Sequence, residues 1–553
     1  MTLFEKHKST IDRAIQAIHE RTYYAAFPEH PKAYGDEAPA QGAAIYRAYE
    51  GKRFELPSQG VTEVWKGEEI SPYTKTPLDI TYPVYESEEL IINARQAANL
   101  WKNTTPAERS GLLVESLERI KAHFFDIALA TQHTTGQSWM MSFQASGPHA
   151  ADRALETIAL GYYEQSRFPE KVMWEKPMGK FTVKLEKSYS PKAKGIGLVI
   201  GCSTFPVWNT LPGLFANLVT GNAVIVKPHP AAVLPIAICV VALQETFRDN
   251  GFDPNTVQLA ADSSQKLNTK ELALHPAVKL IDYTGGTAFG NYIESIPGKT
   301  VFTEKAGVNS VIIDSVKDLE PVLQNLAFSV SLYSGQMCTA PQNFFMPELV
   351  KAGDAMLSFD EIVAKLKEHM SGLANNPKMG AGVLGAVQSE MTENRAHKAG
   401  GIGGKLWLSS IAVKNEEFEN SRTISPVLME VQAADTAMFE SELFGPIVIA
   451  VRTKNTAESV RLAKELAVKQ GAITCAAYTT DEAVMRMITD ELEEVFTPVT
   501  FNLTGPIWVN QHAAFSDFHV TGGNPAGNAS FTNPEFVIKR FVWVGSRKMV
   551  GSN

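Results

Sequence analysis

The sequence predicts an α/β protein with more than one domain, built around parallel sheets. Short apolar runs at residues 196–200, 223–226, 256–259 and 279–282 have the length of buried strands, and helix-like stretches separate them. This alternation is typical of a parallel sheet with helices on both faces. A second alternating block extends from residue 310 to about residue 502. A chain of 553 residues is too long for one core, so we expect two or three domains.

The amino-terminal 70 residues are predicted to be an extension. Residues 11–24 carry apolar side chains at helical spacing, and residues 27–44 are rich in Pro, Ala and Gly. We interpret residues 1–70 as an arm that wraps the rest of the chain and has no chemical role.

Two amphipathic helices are predicted between residues 87 and 129. The second begins at Thr105, which can cap it, with Pro106 at the first helical position and Glu108 completing a capping box. Further along, residues 181–189 alternate apolar and polar side chains. That period of two predicts a half-exposed strand, which we expect in a hairpin that reaches a neighbouring subunit.

Composition excludes several classes of function. Hydrophobic residues make up 44% of the chain and charged residues 20%, as in ordinary globular proteins. The net charge of −9 argues against a general nucleic-acid binder, which would present a basic face. No apolar run is long enough to span a membrane, and the amino terminus lacks the apolar core of a signal peptide. We therefore expect a cytoplasmic protein without nucleic-acid or membrane partners.

Cysteine usage sets one thiol apart from the other three. Four cysteines without paired spacing fit a reducing compartment, and the absence of HExxH and CxxC patterns predicts no metal site. Cys239 and Cys475 lie in apolar runs and Cys202 ends one, as buried structural cysteines do. Cys338 instead lies in the small, polar segment 335–340 (GQMCTA), where a thiol can act as a nucleophile.

A carboxylate precedes this thiol in the chain. Glu304 lies in the segment 303–309, TEKAGVN. A carboxylate that folding brings near Cys338 can act as a general base, and the pair could form a covalent thioester and then hydrolyse it. Either residue alone is a weak indication, so the prediction depends on the two together.

A strand, a glycine turn and a helix start are predicted at residues 278–290 (VKLIDYTGGTAFG). The turn contains Thr284, Gly285 and Gly286, and Gly290 follows within the helix. Glycines let a phosphate approach the backbone, and a helix amino terminus favours its negative charge. The pattern is not GxGxxG, so by itself it is a weak signal.

Two other segments add to this indication of a ligand site. Lys227 and His229 lie in residues 224–230 (VIVKPHP), at the carboxyl end of a predicted parallel strand, where doubly wound sheets bind ligands. Glu442 and Phe444 lie in residues 440–446 (ESELFGP), which alone could equally be an ordinary turn with Phe444 in the core.

In this order, the segments around Lys227, Gly285, Glu304, Cys338 and Phe444 resemble the aldehyde dehydrogenase superfamily, over roughly residues 86–544. The resemblance implies a Rossmann-type cofactor domain, an α/β catalytic domain and a small β oligomerisation flap. It implies that Cys338 attacks an aldehyde and that Glu304 activates the water that hydrolyses the resulting thioester.

The resemblance also implies how a nicotinamide cofactor is held. The pyrophosphate would lie over the turn at Gly285, Lys227 would hold the adenosine ribose, and Glu442 would bind the nicotinamide ribose. Phe444 would touch the nicotinamide ring.

The same resemblance divides the chain into four parts. We expect an extension at residues 1–70, then a cofactor-binding domain at 71–303 with a flap hairpin at about 172–192. A catalytic domain follows at 304–505. Residues 506–553 return to the cofactor domain and end in an oligomerisation strand. The flap and this strand imply a homodimer or a larger homo-oligomer.

NADP is the expected cofactor, with NAD as the alternative. The family segment Lys-Pro-Ser-Glu is represented by KPHP at residues 227–230, so Pro230 stands where NAD-preferring members have a glutamate that holds the ribose hydroxyls. Without that carboxylate, nothing at this position repels a 2′-phosphate, and Lys227 and His229 could pair with one.

Several positions depart from the family pattern. Most members have an asparagine directly before Phe-Pro, whose amide forms the oxyanion hole with the N–H of the nucleophile. This chain has Thr204 there, and Asn209 lies five residues further on. Either Thr204 or Asn209 is expected to donate the second hydrogen bond. A lysine common in the following helix is replaced by Gly213.

The extension, residues 227–230 and the segment FPVW at 205–208 together resemble the PaaN-type branch of phenylacetic-acid degradation. Enzymes of that branch are taken to oxidise a ring-opened semialdehyde carried on coenzyme A. We therefore expect a small aldehyde, in that branch a coenzyme A thioester, as the substrate.

Two alternatives accompany this interpretation. A coenzyme A-acylating enzyme of the same fold would pass the acyl group to a thiol, but such enzymes often lack the base at Glu304. A binding or structural protein that has lost catalysis would fit Thr204, but the presence of Cys338 and Glu304 argues against it.

Overall fold

Two sheets dominate the architecture, as the alternation of strands and helices predicts. The computed structural model describes residues 1–57, 59, 63–509 and 514–552. One sheet has five parallel strands, in the spatial order Val257–Leu259, Ala223–Lys227, Ile196–Ile200, Val278–Gly285 and Thr300–Lys305. The α/β fold class is therefore confirmed.

The second sheet has seven strands and accounts for the alternating block after residue 310. Its spatial order is Lys405–Leu408, Val427–Gln432, Ile447–Thr453, Pro341–Pro347, Asn309–Ile313, Cys475–Tyr478 and Val499–Phe501. All neighbours are parallel except the first pair, which is antiparallel. Glu304 is the penultimate residue of a strand of the five-stranded sheet and Asn309 begins a strand of the seven-stranded one, so the chain passes from one sheet to the other in this short stretch.

The remaining described strands form three small sheets. A hairpin of Lys171–Met178 and Phe181–Ala193 pairs with the carboxyl-terminal strand Phe541–Ser552 in an antiparallel sheet. The other two are a pair, Glu63–Lys66 with Thr81–Val84, and three strands, Ser315–Val316, Leu349–Ala352 and Ala355–Ser358.

The helices cover both large sheets. The described α-helices are Leu3–Glu20, Ala38–Tyr49, Ser87–Trp101, Pro106–Lys121, Phe124–Thr135, Trp139–Gln144, Ala150–Gln165, Pro206–Val219, Leu234–Asp249, Thr269–Leu274, Thr287–Glu294, Leu319–Ser331, Phe359–Ala374, Gly380–Leu384, Glu390–Lys398, Thr456–Gln470, Glu482–Glu493 and Glu535–Ile538. None of the helices in the described ranges is both long and apolar enough to cross a membrane.

The predicted pair of helices between residues 87 and 129 is a set of three. The capping box is confirmed, because Thr105 Oγ1 accepts from the Glu108 N–H while the Glu108 carboxylate accepts from the Thr105 N–H. The chain then leaves the helix at Ala122 and restarts at Phe124. Phe124 keeps the apolar periodicity across this break, which is why the sequence pattern does not reveal it.

The amino-terminal extension packs into the core of the protein. Ile11 and Ala14, on the helix Leu3–Glu20, are fully buried and belong to the same apolar cluster as the strands of the five-stranded sheet. Part of the Pro-, Ala- and Gly-rich stretch is the helix Ala38–Tyr49. The side chain of Glu69, also in this extension, accepts hydrogen bonds from the N–H groups of Val233 and Leu234 at the start of a helix.

A buried ion pair ties the carboxyl-terminal segment to the five-stranded sheet. Arg540 is fully buried, and its two terminal nitrogens donate to the two carboxylate oxygens of Asp282 at 2.7 and 2.6 Å. A Cβ atom at Gly213 would lie 2.7 Å from the Asp282 carboxyl carbon. A larger side chain at position 213 therefore has no room here, which agrees with the replacement of the family lysine by Gly213.

Candidate active site

The loop that carries Cys338 has an unusual backbone. Tyr333, Ser334 and Gly335 all adopt left-handed conformations, with φ of 51°, 50° and 62°. At Gly335 a Cβ atom would lie 2.5 Å from the carbonyl oxygen of Gly445, so only glycine fits. Strain of this kind persists where the surrounding structure fixes it and is typical of functional sites.

The side chain of Asn309 holds the loop that carries Cys338. Its Nδ2 donates to the carbonyl oxygens of Cys338 and Ala340 at 2.7 and 3.1 Å. Its Oδ1 accepts from the N–H groups of Ile473 and Thr474. One buried amide therefore holds the Cys338 loop against a neighbouring strand of the seven-stranded sheet.

Folding brings Glu304 to Cys338. The Glu304 side chain is 2% exposed, and its Oε2 accepts from Asn209 Nδ2 at 3.0 Å while its Oε1 lies 3.3 Å from His519 Nε2. Burial alone would raise the pKa of Glu304, but its interactions with His519, Cys338 and Arg153 hold that pKa below its ordinary value. The carboxylate is therefore ionised at neutral pH.

The Cys338 thiol is held in its protonated form. Burial raises the pKa of Cys338 well above its ordinary value, and the nearby charges of Glu304 and Glu442 add to this effect. His519 Nε2 lies 3.6 Å from Cys338 Sγ. His519 is a site residue that the sequence pattern does not reveal, because it is a single histidine in FHVTGG without a recognised motif around it.

Cys338 and Phe205 line two cavities at once. The first, the apolar cavity, has a volume of about 280 Å³, and its wall includes Met140, Met141, Phe205, Trp208, Phe328, Trp508 and His519. The second, the large cleft, has a volume of about 780 Å³ and contains Glu304. A nucleophile in the shared wall can reach one molecule in each cavity.

The large cleft collects almost all of the predicted cofactor residues. Both oxyanion candidates, Thr204 and Asn209, line it together with Lys227, His229, Thr284, Gly285, Gly286, Glu442 and Phe444. Gly290 does not line it and packs instead against Lys305, whose side chain a Cβ atom would meet at 2.5 Å. The volume is within the range of cofactor sites.

The glycine turn leaves space for a phosphate. A Cβ atom placed on Gly286 meets no heavy atom within 4 Å, and Gly286 immediately precedes the helix Thr287–Glu294. Free N–H groups at the start of a helix attract anions. The residues of the cleft therefore fit a dinucleotide.

Position 230 is a proline, as the NADP expectation assumes, but Lys227 has a carboxylate partner from another segment of the chain. Its Nζ forms a 2.7 Å ion pair with Asp262 Oδ1, and Glu68 also lines the cleft. His229 Nδ1 accepts the N–H of Ala231 at 3.1 Å, which stabilises the neutral imidazole. The basis for binding a 2′-phosphate is thus much weaker than the sequence suggests.

Cys202 is not a core cysteine, although the apolar run that it ends predicts one. It is half-buried, lines the large cleft, and its thiol donates to Asn209 Oδ1 at 3.6 Å. Burial raises the pKa of Cys202 to about 12, so it remains a neutral thiol. Cys239 and Cys475 are buried, in a helix and a strand, as predicted.

Comparison with known proteins identifies the class. The model of the aldehyde dehydrogenase family matches residues 66–533, most of the chain, and the protein therefore belongs to the aldehyde dehydrogenase family. Vanillin dehydrogenase of Corynebacterium glutamicum is 22% identical over 470 residues, covering 82% of this chain and 88% of that one. The 1-pyrroline-5-carboxylate dehydrogenase of Bacillus subtilis is 26% identical over 405 residues, covering 70% of this chain and 73% of that one.

Solved structures give the same result. An NAD-dependent aldehyde dehydrogenase from Burkholderia multivorans is 42% identical, with a TM-score of 0.97 over 100% of both chains. A Thermus 1-pyrroline-5-carboxylate dehydrogenase with bound NAD has a TM-score of 0.75 at 18% identity, covering 96% of this chain and 99% of that one, and shares the fold. The protein is thus an aldehyde dehydrogenase.

The position of Asn209 leads to a prediction about the oxyanion hole. One Nδ2 hydrogen donates to Glu304 Oε2, and we expect the other to reach an oxyanion formed at Cys338, which lines the same cleft. Asn209→Ala should therefore lower the rate of the pre-steady-state burst of reduced cofactor by about 100-fold, the usual effect of one lost oxyanion donor. The matched control Thr204→Val should change it little. If Thr204→Val is the damaging change, Thr204 is the donor. If Asn209→Ala slows only steady-state turnover, Asn209 acts solely by holding Glu304.

Proposed function

We propose that this aldehyde dehydrogenase oxidises an uncharged, apolar aldehyde to its carboxylic acid through a thioester on Cys338. One observation carries the proposal: Cys338 lies in the wall between an apolar cavity and the large cleft, beside the ionised carboxylate of Glu304. The arrangement gives a nucleophile access to an aldehyde on one side and to a hydride acceptor on the other.

The first half of the reaction forms the thioester. Cys338 sulfur bonds to the carbonyl carbon while the carbonyl electron pair moves to oxygen, and the N–H of Asn209 and the backbone N–H of Cys338 stabilise that charge. Loss of a hydride from the same carbon re-forms the C=O bond and leaves the thioester. When bound, the nicotinamide supplies the hydride acceptor.

The second half releases the acid. Glu304 takes a proton from a water whose oxygen attacks the thioester carbon, and the C–S bond breaks with the electron pair returning to Cys338. Glu304 is ionised at neutral pH, as a base must be before the reaction. For the same reason we favour water over coenzyme A as the acyl acceptor.

The cavity restricts the substrate. Among the residues that the structure describes, no lysine or arginine lines the apolar cavity, while seven Met, Phe and Trp side chains contribute to its wall. A substrate carboxylate or phosphate would be buried there without a lysine or arginine to pair with, at a cost of several kcal/mol. An aromatic aldehyde fits, and so does the uncharged aldehyde end of a semialdehyde linked to coenzyme A, as the PaaN-type resemblance suggests.

A substrate panel tests this proposal. With a nicotinamide cofactor, aromatic and medium-chain aldehydes should be oxidised with kcat/KM at least about 100-fold above that of succinic semialdehyde, because of the unpaired carboxylate. The product should be the free acid whether or not coenzyme A is present. Cys338→Ser is the inactive control. Preference for the charged semialdehyde, or an acyl-coenzyme A product, would contradict the proposal.

The cofactor we propose is NAD, in place of the NADP that the sequence suggests. Asp262 neutralises Lys227 and, together with Glu68, places negative charge where a 2′-phosphate would bind. A carboxylate in this position favours ribose hydroxyls over a phosphate. The Burkholderia multivorans structure, described as NAD-dependent, supports the same choice.

Removing the carboxylate should shift the preference. The parent enzyme should have a higher kcat/KM with NAD than with NADP, and Asp262→Asn should raise the NADP-to-NAD ratio by about tenfold, because Lys227 becomes free to pair with the phosphate. Asp36→Asn, an exposed position in the extension, is the matched control. A parent enzyme that prefers NADP and a silent Asp262→Asn would restore the original expectation.

A further inference from the structure

We propose that His519 is a catalytic residue that takes the thiol proton of Cys338 as the sulfur attacks the aldehyde. Nε2 of His519 lies 3.6 Å from Cys338 Sγ and 3.3 Å from Glu304 Oε1. One ring nitrogen therefore reaches both the proton donor and the carboxylate that can stabilise the resulting imidazolium. This inference rests on the proposed function and adds a third member to the Cys338–Glu304 pair.

The position of His519 is fixed by the strand that carries Glu304. Downstream of His519 the chain runs beside Thr300–Lys305, where the N–H of Lys305 donates to the Ala526 carbonyl at 2.6 Å and Asn528 exchanges hydrogen bonds with Thr303. A single rigid unit thus presents Glu304 and His519 together.

The backbone next to His519 is strained. Val520 is buried and has a φ of 55°, a left-handed conformation that is rare for a β-branched residue. Such a conformation is unfavourable and persists only where neighbouring contacts impose it. The strain is stored at the residue that follows His519, where the chain turns the imidazole towards Cys338.

Packing also orients the ring. The rings of His519 and Trp208 are nearly perpendicular, with centroids 4.9 Å apart and planes at 86°, and the Arg153 guanidinium lies over Trp208 at 3.8 Å. His519 Nδ1 is buried and has no hydrogen-bond partner among the described residues. Nε2 is therefore the nitrogen that the site uses.

A base is needed here because Cys338 is surrounded by groups that oppose its ionisation. Burial, Glu304, Cys202 and Glu442 all raise the pKa of the thiol. The cation near the site is Arg153, which interacts with both Glu304 and Cys338. A free thiolate is scarce in this environment at neutral pH, so attack must be coupled to proton removal.

The proton and the electron pairs that move in this step all belong to the enzyme and the aldehyde. His519 begins this step with its ring proton on Nδ1 and a free lone pair on Nε2. The S–H proton moves to Nε2, the sulfur electron pair forms the S–C bond, and the carbonyl π pair becomes the oxyanion. The imidazolium then donates its Nε2–H to Glu304 Oε1. The competing assignment has Glu304 remove the thiol proton directly, with His519 serving only to hold the carboxylate.

Alkylation of Cys338 by iodoacetamide separates these assignments without aldehyde or cofactor. His519→Gln keeps a polar side chain beside Glu304 but cannot take a proton, and should slow alkylation at neutral pH by about 100-fold. The deficit should narrow as pH rises, because the thiol then ionises unaided. His369→Gln, at a surface histidine paired with Glu320, should behave as the parent.

Chemical rescue completes the test. In His519→Ala, added imidazole can enter the apolar cavity and should restore both the alkylation rate and the burst of reduced cofactor, to a degree that follows the fraction of imidazole present as free base. A residue with a merely structural role would not respond in this way. Parent-like alkylation in His519→Gln, or no rescue of a folded His519→Ala, would overturn the proposal. Absence of aldehyde oxidation in the parent, with alkylation behaving as expected, would instead overturn the proposed function.

Discussion

The close approach of a thiol and a carboxylate constrains everything else in this active site. Cys338 and Glu304 share a buried environment, and only one of them can carry negative charge without a large free-energy cost. The surroundings assign the charge to Glu304, whose pKa is lowered, and keep Cys338 protonated. Glu304 is thereby ready to activate water, but Cys338 needs help to become a nucleophile. This need gives the nearby imidazole of His519 its significance.

The fold serves to bring these groups together from distant parts of the chain. Glu304 is the penultimate residue of a strand of the five-stranded sheet, while Asn309 holds the Cys338 loop against the seven-stranded sheet. The carboxyl-terminal segment then returns to the first sheet, where the buried Arg540–Asp282 ion pair fixes it. Removing one partner of such a pair would leave an uncompensated buried charge. The pair therefore favours the docked position of this carboxyl-terminal segment, which also contains His519.

Sequence patterns anticipated the parts of the structure that local physics determines. Strand and helix alternation follows from hydrophobic periodicity, and the Thr105 capping box follows from local hydrogen bonding. Sequence patterns did not reveal the residues that contact Lys227 and Cys338. Asp262, which pairs with Lys227, comes from a separate loop, and His519 comes from a segment with no motif. Contacts between remote segments leave no periodic signal, so the carboxylate beside Lys227 and the imidazole beside Cys338 emerged only from the structure.

The central claim is that Cys338 carries the acyl group, and trapping that intermediate tests it directly. In Glu304→Gln the thioester should form and persist, because the base for its hydrolysis is gone. Peptide mass spectrometry after mixing this variant with an aromatic aldehyde and NAD should find the acyl mass on Cys338. An adduct on Cys202, the other thiol at the cleft, or turnover at the parent rate without any adduct, would contradict the account.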